Sequence, residues 1–234
     1  MQLIIYFFGW FCAYSITKLV CQFSPFGFLK DWNNSKDSTL FAMSLMSYFH
    51  STHLCYICIR ELSFKNGFDL TSNFTIGDIN IITFSLSYFF YDLYHVYRLK
   101  SYMFLVHHSL SILFIWYFFY LNFSTIILMN LLISEFTTPL LNVWILTKEK
   151  KYPIFYQING FFTYFYIFIR GIILPIFTIY SMITMYNEEK MHKVFFYLLS
   201  CMGMVINVGN LLWSKNLFIG YLKWKKKQSE KKTR

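Results

Sequence analysis

The sequence predicts an all-α fold, a polytopic transmembrane helical bundle of about seven spans. Two observations predict it. Hydrophobic residues make up 56% of the 234 residues and charged residues only 14%, where a soluble domain carries about 25% charged. The apolar residues also fall in runs that match the roughly 20 residues a spanning helix needs.

Seven segments reach that length: 2–23, 39–60, 78–97, 103–121, 124–147, 154–184 and 194–214. A six-span alternative makes one of the weaker segments re-entrant. The first run has no basic start and no small-x-small cleavage site, so it reads as a retained anchor rather than a signal peptide. The second carries His50 and His53, together with Cys55 and Cys58. No second cysteine pair completes a zinc site, and the five cysteines read as small buried apolar residues. The third ends with Asp92 and His95. The fourth is short, follows a tight connection at 98–102, and opens with His107 and His108. Glu135 lies midway along the fifth, with Asn142 beyond it. The sixth is long and holds Asn159, Arg170 and Pro175. A tilt or kink is expected at this proline. The seventh carries Asn207 and Asn210.

Seven of the 21 Lys and Arg residues lie in 223–234. This tail reads as a solvated, disordered end beside anionic headgroups. No basic motif of a nucleic-acid-binding fold accompanies it, so nucleic acid is not an expected partner.

Loop charge gives the orientation. With the tail in the cytosol, the connections on that side carry Lys30 and Lys36, Arg98 and Lys100, and Lys148, Lys150 and Lys151. On the lumenal side Arg60, Lys65, Lys190 and Lys193 are diluted by Glu61, Asp69, Asp78, Glu188 and Glu189. The sequon Asn73-Phe74-Thr75 falls on the lumenal side, and Lys231-Lys232-Thr233-Arg234 fits a dilysine retrieval signal. Both agree with this orientation, and the second points to the endoplasmic reticulum membrane.

Ionisable groups at bilayer depth are costly and by default mark a site. His107 and His108 lie about 6–8 Å from the cytosolic end of their span at 1.5 Å per residue, and Asp92 and His95 approach the same end from the preceding helix. Asn142, Asn159, Asn207 and Asn210 fall toward that side, while Glu135, Arg170, His50 and His53 sit nearer mid-depth. A water-accessible cavity open to the cytosol would reconcile burial with desolvation. The chemistry available is acid–base or nucleophilic. An imidazole exchanges protons near neutral pH, a carboxylate can orient it, and it can accept an activated acyl group. The catalytic candidates are therefore His107, His108 and Asp92. Glu135, Asn142, Arg170, His95 and Asn210 are the substrate-binding candidates. Plainer readings stand beside these. The asparagines can bond helix to helix, Glu135 and Arg170 can form a structural ion pair, and His50 and His53 can be packing residues. His107, His108 and Asp92 match no specific metal motif, so neither a metal nor a resident cofactor is expected.

At these residues the chain resembles the TLC-domain family, which includes ceramide synthases. Tyr91-Asp92 closes the third span and His107-His108 opens the next. The segment Ser134-Glu135-Phe136-Thr137-Thr138-Pro139-Leu140-Leu141-Asn142 is similar to the E-x-(S/T)-(S/T)-P-x-x-N stretch of the branch of TLC-domain-containing proteins. Arg170-Gly171, Asn210 and Trp213 follow in order. The ceramide-synthase H-D-x-x-D element and its homeobox-like segment are absent. The resemblance implies an anchor and cytosolic loop at 1–38, a TLC domain at 39–222 and the basic tail at 223–234. It implies a multi-pass protein of lipid metabolism or homeostasis with membrane lipids as partners, and acyl transfer with acyl-CoA as co-substrate and a homodimeric assembly are expectations set beside it. A non-enzymatic lipid-binding regulator of phospholipid composition remains the alternative.

Overall fold

The computed structural model describes residues 1–23, 32, 34–65, 69–70, 72–98, 100, 102–150, 152–187 and 193–232. Lys30, Lys151, Glu188, Glu189 and Lys190, invoked for loop charge, lie outside these residues, as do Thr233 and Arg234 of the dilysine pattern. All regular structure among the described residues is helical. The helices are α1 (Gln2–Phe23), α2 (Ser35–Phe64), α3 (Ile76–Arg98), α4 (Tyr102–Leu121), α5 (Ser124–Glu135), α6 (Thr138–Glu149), α7 (Pro153–Tyr166), α8 (Leu174–Asn187) and α9 (Lys193–Lys232). A π-helical stretch, Ile167–Ile173, joins α7 to α8. Since α5 and α6 form one broken rod, and α7 to α8 another, the described residues make the seven rods the apolar runs predict.

Five of the rods contain stretches long and apolar enough to cross a membrane: Gln2–Phe23, Phe104–Leu121, Ser124–Lys148, Ile158–Asn187 and Phe196–Glu230. The other two, α2 and α3, fall short because their buried faces are polar. They carry Ser38, Ser44, His50 and Ser51 on α2, and Asp78, Ser85, Ser87, Asp92 and His95 on α3. Outward-facing side chains elsewhere are large and apolar, among them Phe8, Tyr56, Trp116, Phe168 and Ile176. Such a surface is stable against lipid, not water.

Six rods close a ring. α2 packs on α3, α3 on α4, α4 on α9, α9 on α7 and the π stretch, and the α7–α8 rod on α5 and α6, which return to α2. α1 lies outside the ring against α2 and α3. Its Trp10 donates from Nε1 to Ser87 Oγ at 3.3 Å. One half of the ring interior is filled by Leu54, Ile57, Ile82, Leu86, Phe118, Ile127 and their neighbours. At that end Asp78 staples three helices. Its Oδ2 accepts from Lys65 Nζ at 2.8 Å, from the Thr75 amide at 2.7 Å and from Ser124 Oγ at 2.7 Å. The other half, toward Arg98, Lys148 and the start of the basic tail, is left open, and the polar residues collect there.

Two features depart from expectation. The kink foreseen at Pro175 takes the form of the π stretch. Proline has no N–H to give the Gly171 carbonyl, and the register widens just before it, with the Leu174 amide reaching the Ile169 carbonyl instead. The basic end is helical rather than disordered, because α9 continues for 40 residues to Lys232. That is about 60 Å, twice the hydrocarbon thickness. Beyond the apolar part Trp224 packs on Tyr221 and Phe155, and the lysines and Gln228 are good helix formers.

Candidate functional site

Asp92 reaches the ring interior from the last two turns of α3, and His108 from the second turn of α4. His108 Nε2 lies 2.8 Å from Asp92 Oδ2. Both side chains are largely buried, and Phe89 packs against the imidazole. The tight connection between α3 and α4 makes this meeting short-range: Lys100, with φ 55°, turns the chain so that the two helices run back along each other.

His107 is the next residue, rotated about 100° around α4. Its ring lies 5.4 Å from that of His108 at an interplanar angle of 73°. The two histidines thus address different spaces. His108 lines a cavity of about 240 Å³ together with Asp92, Glu135, Asn142 and Arg170. His107 lines that cavity too, and with Arg170 it also lines two neighbouring spaces bounded by α9. His107 and Arg170 are the partition at which all three spaces meet. The remaining nitrogen of His108, Nδ1, is sealed from all of them and has no hydrogen-bond partner.

Arg170 sits in the π stretch and turns to the break between α5 and α6. Its Nε donates to Thr137 Oγ1 at 2.9 Å and its Nη2 to Thr138 Oγ1 at 2.8 Å. Nη2 also bonds the Ser134 carbonyl. The break exists because Pro139 cannot donate to the Glu135 carbonyl, and the guanidinium fills the donor deficit around it. The ion pair weighed for Glu135 and Arg170 is therefore not formed. The Glu135 side chain, buried at 8% exposure, instead borders both the main cavity and the deeper space beside α9.

Asn142 donates from Nδ2 to Ser47 Oγ at 2.9 Å and to the Thr138 carbonyl at 3.0 Å, which ties α6 to α2 at the cavity wall. Asn159 bonds helix to helix, accepting from Trp144 Nε1 at 2.8 Å. Asn210 lies on α9 in the wall of the two spaces beside that helix, and its Nδ2 is buried without a partner. His95 is the exception among the expected site residues. It lines none of these cavities and packs instead on Tyr14 of α1, with ring centroids 4.3 Å apart. His50 is fully buried and stacks on Tyr88 at 3.8 Å, as a packing histidine would. His53 faces outward.

Sequence reasoning passed over Ser47 and Tyr88, which complete the cavity wall beside Asp92. Ser44, Ser47 and Ser51 at helical spacing on α2 were the available signal for the first. Among the described residues no group of three or more His, Cys, Asp or Glu side chains gathers as a metal site would require.

The family model described as the TLC domain matches residues 40–219. The chain is also similar to TLC domain-containing protein 4 A of Dictyostelium discoideum, at 27% identity over 204 residues, which covers 82% of this chain and 75% of that protein. The matched segment begins in α2 and ends in α9, so it contains the whole six-rod ring and every cavity residue named above, while α1 stands outside it. A ring of six helical rods, four of them long and apolar enough to span a membrane, with an aspartate–histidine pair inside and a family match that runs through all six, makes this chain a membrane protein of the TLC-domain family.

Proposed function

We propose that the protein is a multi-pass enzyme of the endoplasmic reticulum membrane that transfers an acyl group from acyl-CoA to a lipid, with its basic end in the cytosol. The family's usual place in lipid metabolism supports the substrate class. The observation that carries the chemistry is the Asp92–His108 contact of 2.8 Å at the wall of a cavity that also holds His107.

In this reading Asp92 and His108 form a fixed polar unit beside the reaction, and His107, bordering every space, is the imidazole that touches substrate. It takes the proton of the lipid hydroxyl or amine as that group attacks the thioester carbonyl. The carbon–sulfur bond breaks, and the departing thiolate receives the proton. Arg170 supplies positive charge where the carbonyl oxygen becomes anionic, and Glu135, Asn142 and Asn210 position the lipid. Arg98, Lys100, Lys148 and the lysines of 223–227 cluster at the cavity end of the rods. That favours a cytosolic placement and suits an anionic co-substrate.

A second reading, a non-enzymatic lipid-binding regulator of phospholipid composition, has one observation in its favour. The sealed Nδ1 of His108 leaves that ring no nitrogen free for proton transfer. Lipid profiles of cells carrying wild type, His107→Ala and His108→Ala separate the two. Loss of a lipid product in His107→Ala, with the protein still inserted, is the expected result. Profiles unchanged in both variants would remove acyl transfer and leave lipid binding.

A further inference from the structure

Where α4 meets α9 the seam is not filled. A groove of about 450 Å³ runs along this seam, lined by Val106 and Leu110 on one side and by Val205 and Gly209 on the other. Its rim faces away from the bundle: Val106 is 53% exposed and Val205 54%. Both belong to rods apolar enough to span the membrane, so what lies against the rim is the acyl region of the bilayer. Counted from the start of α4 at 1.5 Å per residue, residues 104–110 lie about 3–12 Å inside the membrane on the cavity side. That is the depth of carbonyls and upper methylenes in one leaflet.

The floor of the groove is polar. Arg170, His107 and Asn210 close it, and the first two are shared with the cavity of the Asp92–His108 pair. Asn210 is only 5% exposed, yet its Nδ2 has no hydrogen-bond partner. A buried amide donor left unpaired is unfavourable, and a ligand acceptor would satisfy it. The groove is also kept open at its centre, since a Cβ added at Gly209 would meet nothing within 4 Å.

We infer that this groove holds the acyl chain of a bilayer lipid, with the chain's ester or amide carbonyl accepting a hydrogen bond from Asn210. The occupant is a membrane-resident lipid rather than a water-borne thioester, because the rim meets hydrocarbon while the polar cavity opens toward the basic end. The inference deepens the lipid reading of the site, naming the side from which the lipid arrives. His107, standing in both walls, is then the residue a lipid meets as it passes from groove to cavity.

The test uses the purified full chain in phosphatidylcholine nanodiscs doped with a phosphatidylcholine that carries a diazirine midway along one acyl chain. After irradiation, adducts are mapped by mass spectrometry. Adducts are expected to concentrate at residues 106–110 and 205–209, above the background on lipid-facing α1. Gly209→Leu fills the groove and should lower them about tenfold, the effect of excluding roughly two methylenes. Val205→Trp is a second filling variant from an exposed position. Gly220→Leu, also in open space but outside the groove, should change nothing. An ether-linked probe without the carbonyl should label more weakly than the ester in wild type and equally in Asn210→Leu. Adducts no denser than on α1, adducts unchanged in both filling variants, or groove labelling by a diazirine acyl-CoA with none by the phospholipid would each overturn the inference. Labelling needs no turnover. A groove that labels in a protein whose histidine variants leave lipid profiles unchanged would sink acyl transfer alone.

Discussion

Arg170 and Thr138, on different rods and 32 residues apart, are joined by a hydrogen bond of 2.8 Å from the guanidinium Nη2 to the threonine Oγ1. Each end sits at a fault in its own helix, Arg170 in the π stretch ahead of Pro175 and Thr138 at the break made by Pro139. The bond lets two faults face each other, and the same Nη2 also serves the Ser134 carbonyl beside the break. Hydrogen bonds to charged groups contribute about 1.5–3 kcal/mol. Thr138→Val keeps the shape and removes the acceptor, leaving Thr137 and the Ser134 carbonyl in place. It should destabilise the protein by about 1–3 kcal/mol, read as a lowered thermal midpoint in detergent. The same substitution in an Arg170→Met background should have a much smaller effect, and additive losses would show that the two residues do not cooperate.

The Asp92–His108 contact predicts a different pattern. Asp92→Asn is nearly isosteric but takes away the carboxylate that fixes the tautomer and orientation of His108. Product formation should fall by about 100-fold, the effect of displacing by about 1 Å the reacting His107, whose ring stands against the His108 ring that Asp92 holds, with little change in thermal midpoint. Asp92→Glu should recover part of the activity. If Asp92→Asn lowers the midpoint sharply and Asp92→Glu restores only the midpoint, the pair serves structure alone.

Much of the architecture is legible before any coordinates, because a bilayer imposes one rule on every span: about 20 apolar residues, with any charge needing a reason. That rule picks out Asp92, His107, His108, Glu135 and Arg170 in a chain with few charges. It does not say which way each points. Asp92 and His95 are three residues apart, which suggests a shared face, yet the offset is enough to send Asp92 into the ring and His95 toward Tyr14. The position of α1 outside the ring decides this, and no local pattern encodes it. Tyr88 is hidden for another reason: one wall residue among 19 tyrosines carries no signal. Likewise the acidity of Glu135 and the basicity of Arg170 suggest a pair, while the two threonines beside Pro139 offer the guanidinium closer acceptors.

Outside the spans, Asp37 at the start of α2 meets Lys150 at the end of α6, with Nζ 2.5 Å from Oδ2. The Lys150 bond, helped by Asn34, holds the Asp37 carboxyl below its ordinary range. A lowered folded-state value means the contact's contribution is present above the unfolded pKa, about 3.9, and is lost as pH falls through the folded value. Asp37→Asn should therefore lower the thermal midpoint by a constant amount from neutral pH down to about pH 4. Below that the two curves should converge. A difference that persists unchanged into stronger acid would mean the α2–α6 contact does not depend on this carboxylate.

The orientation is the last prediction, and it follows from where the charge lies rather than from the site. Lys227 is exposed on the basic extension of α9, and Ser63 is exposed at the far end of α2, the end of the Lys65–Asp78 staple. A membrane-impermeant maleimide reacts with thiolates in water, so the native Cys12 and Cys201, exposed only along apolar rods, should stay unlabelled. In cells whose plasma membrane alone is opened, Lys227→Cys should label at once. Ser63→Cys should label only when the endoplasmic reticulum membrane is opened too. The reverse pattern would turn the protein over and place the Asp92–His108 cavity in the lumen, away from cytosolic acyl-CoA. Acyl transfer from that donor would then have to be abandoned even if both histidines proved essential.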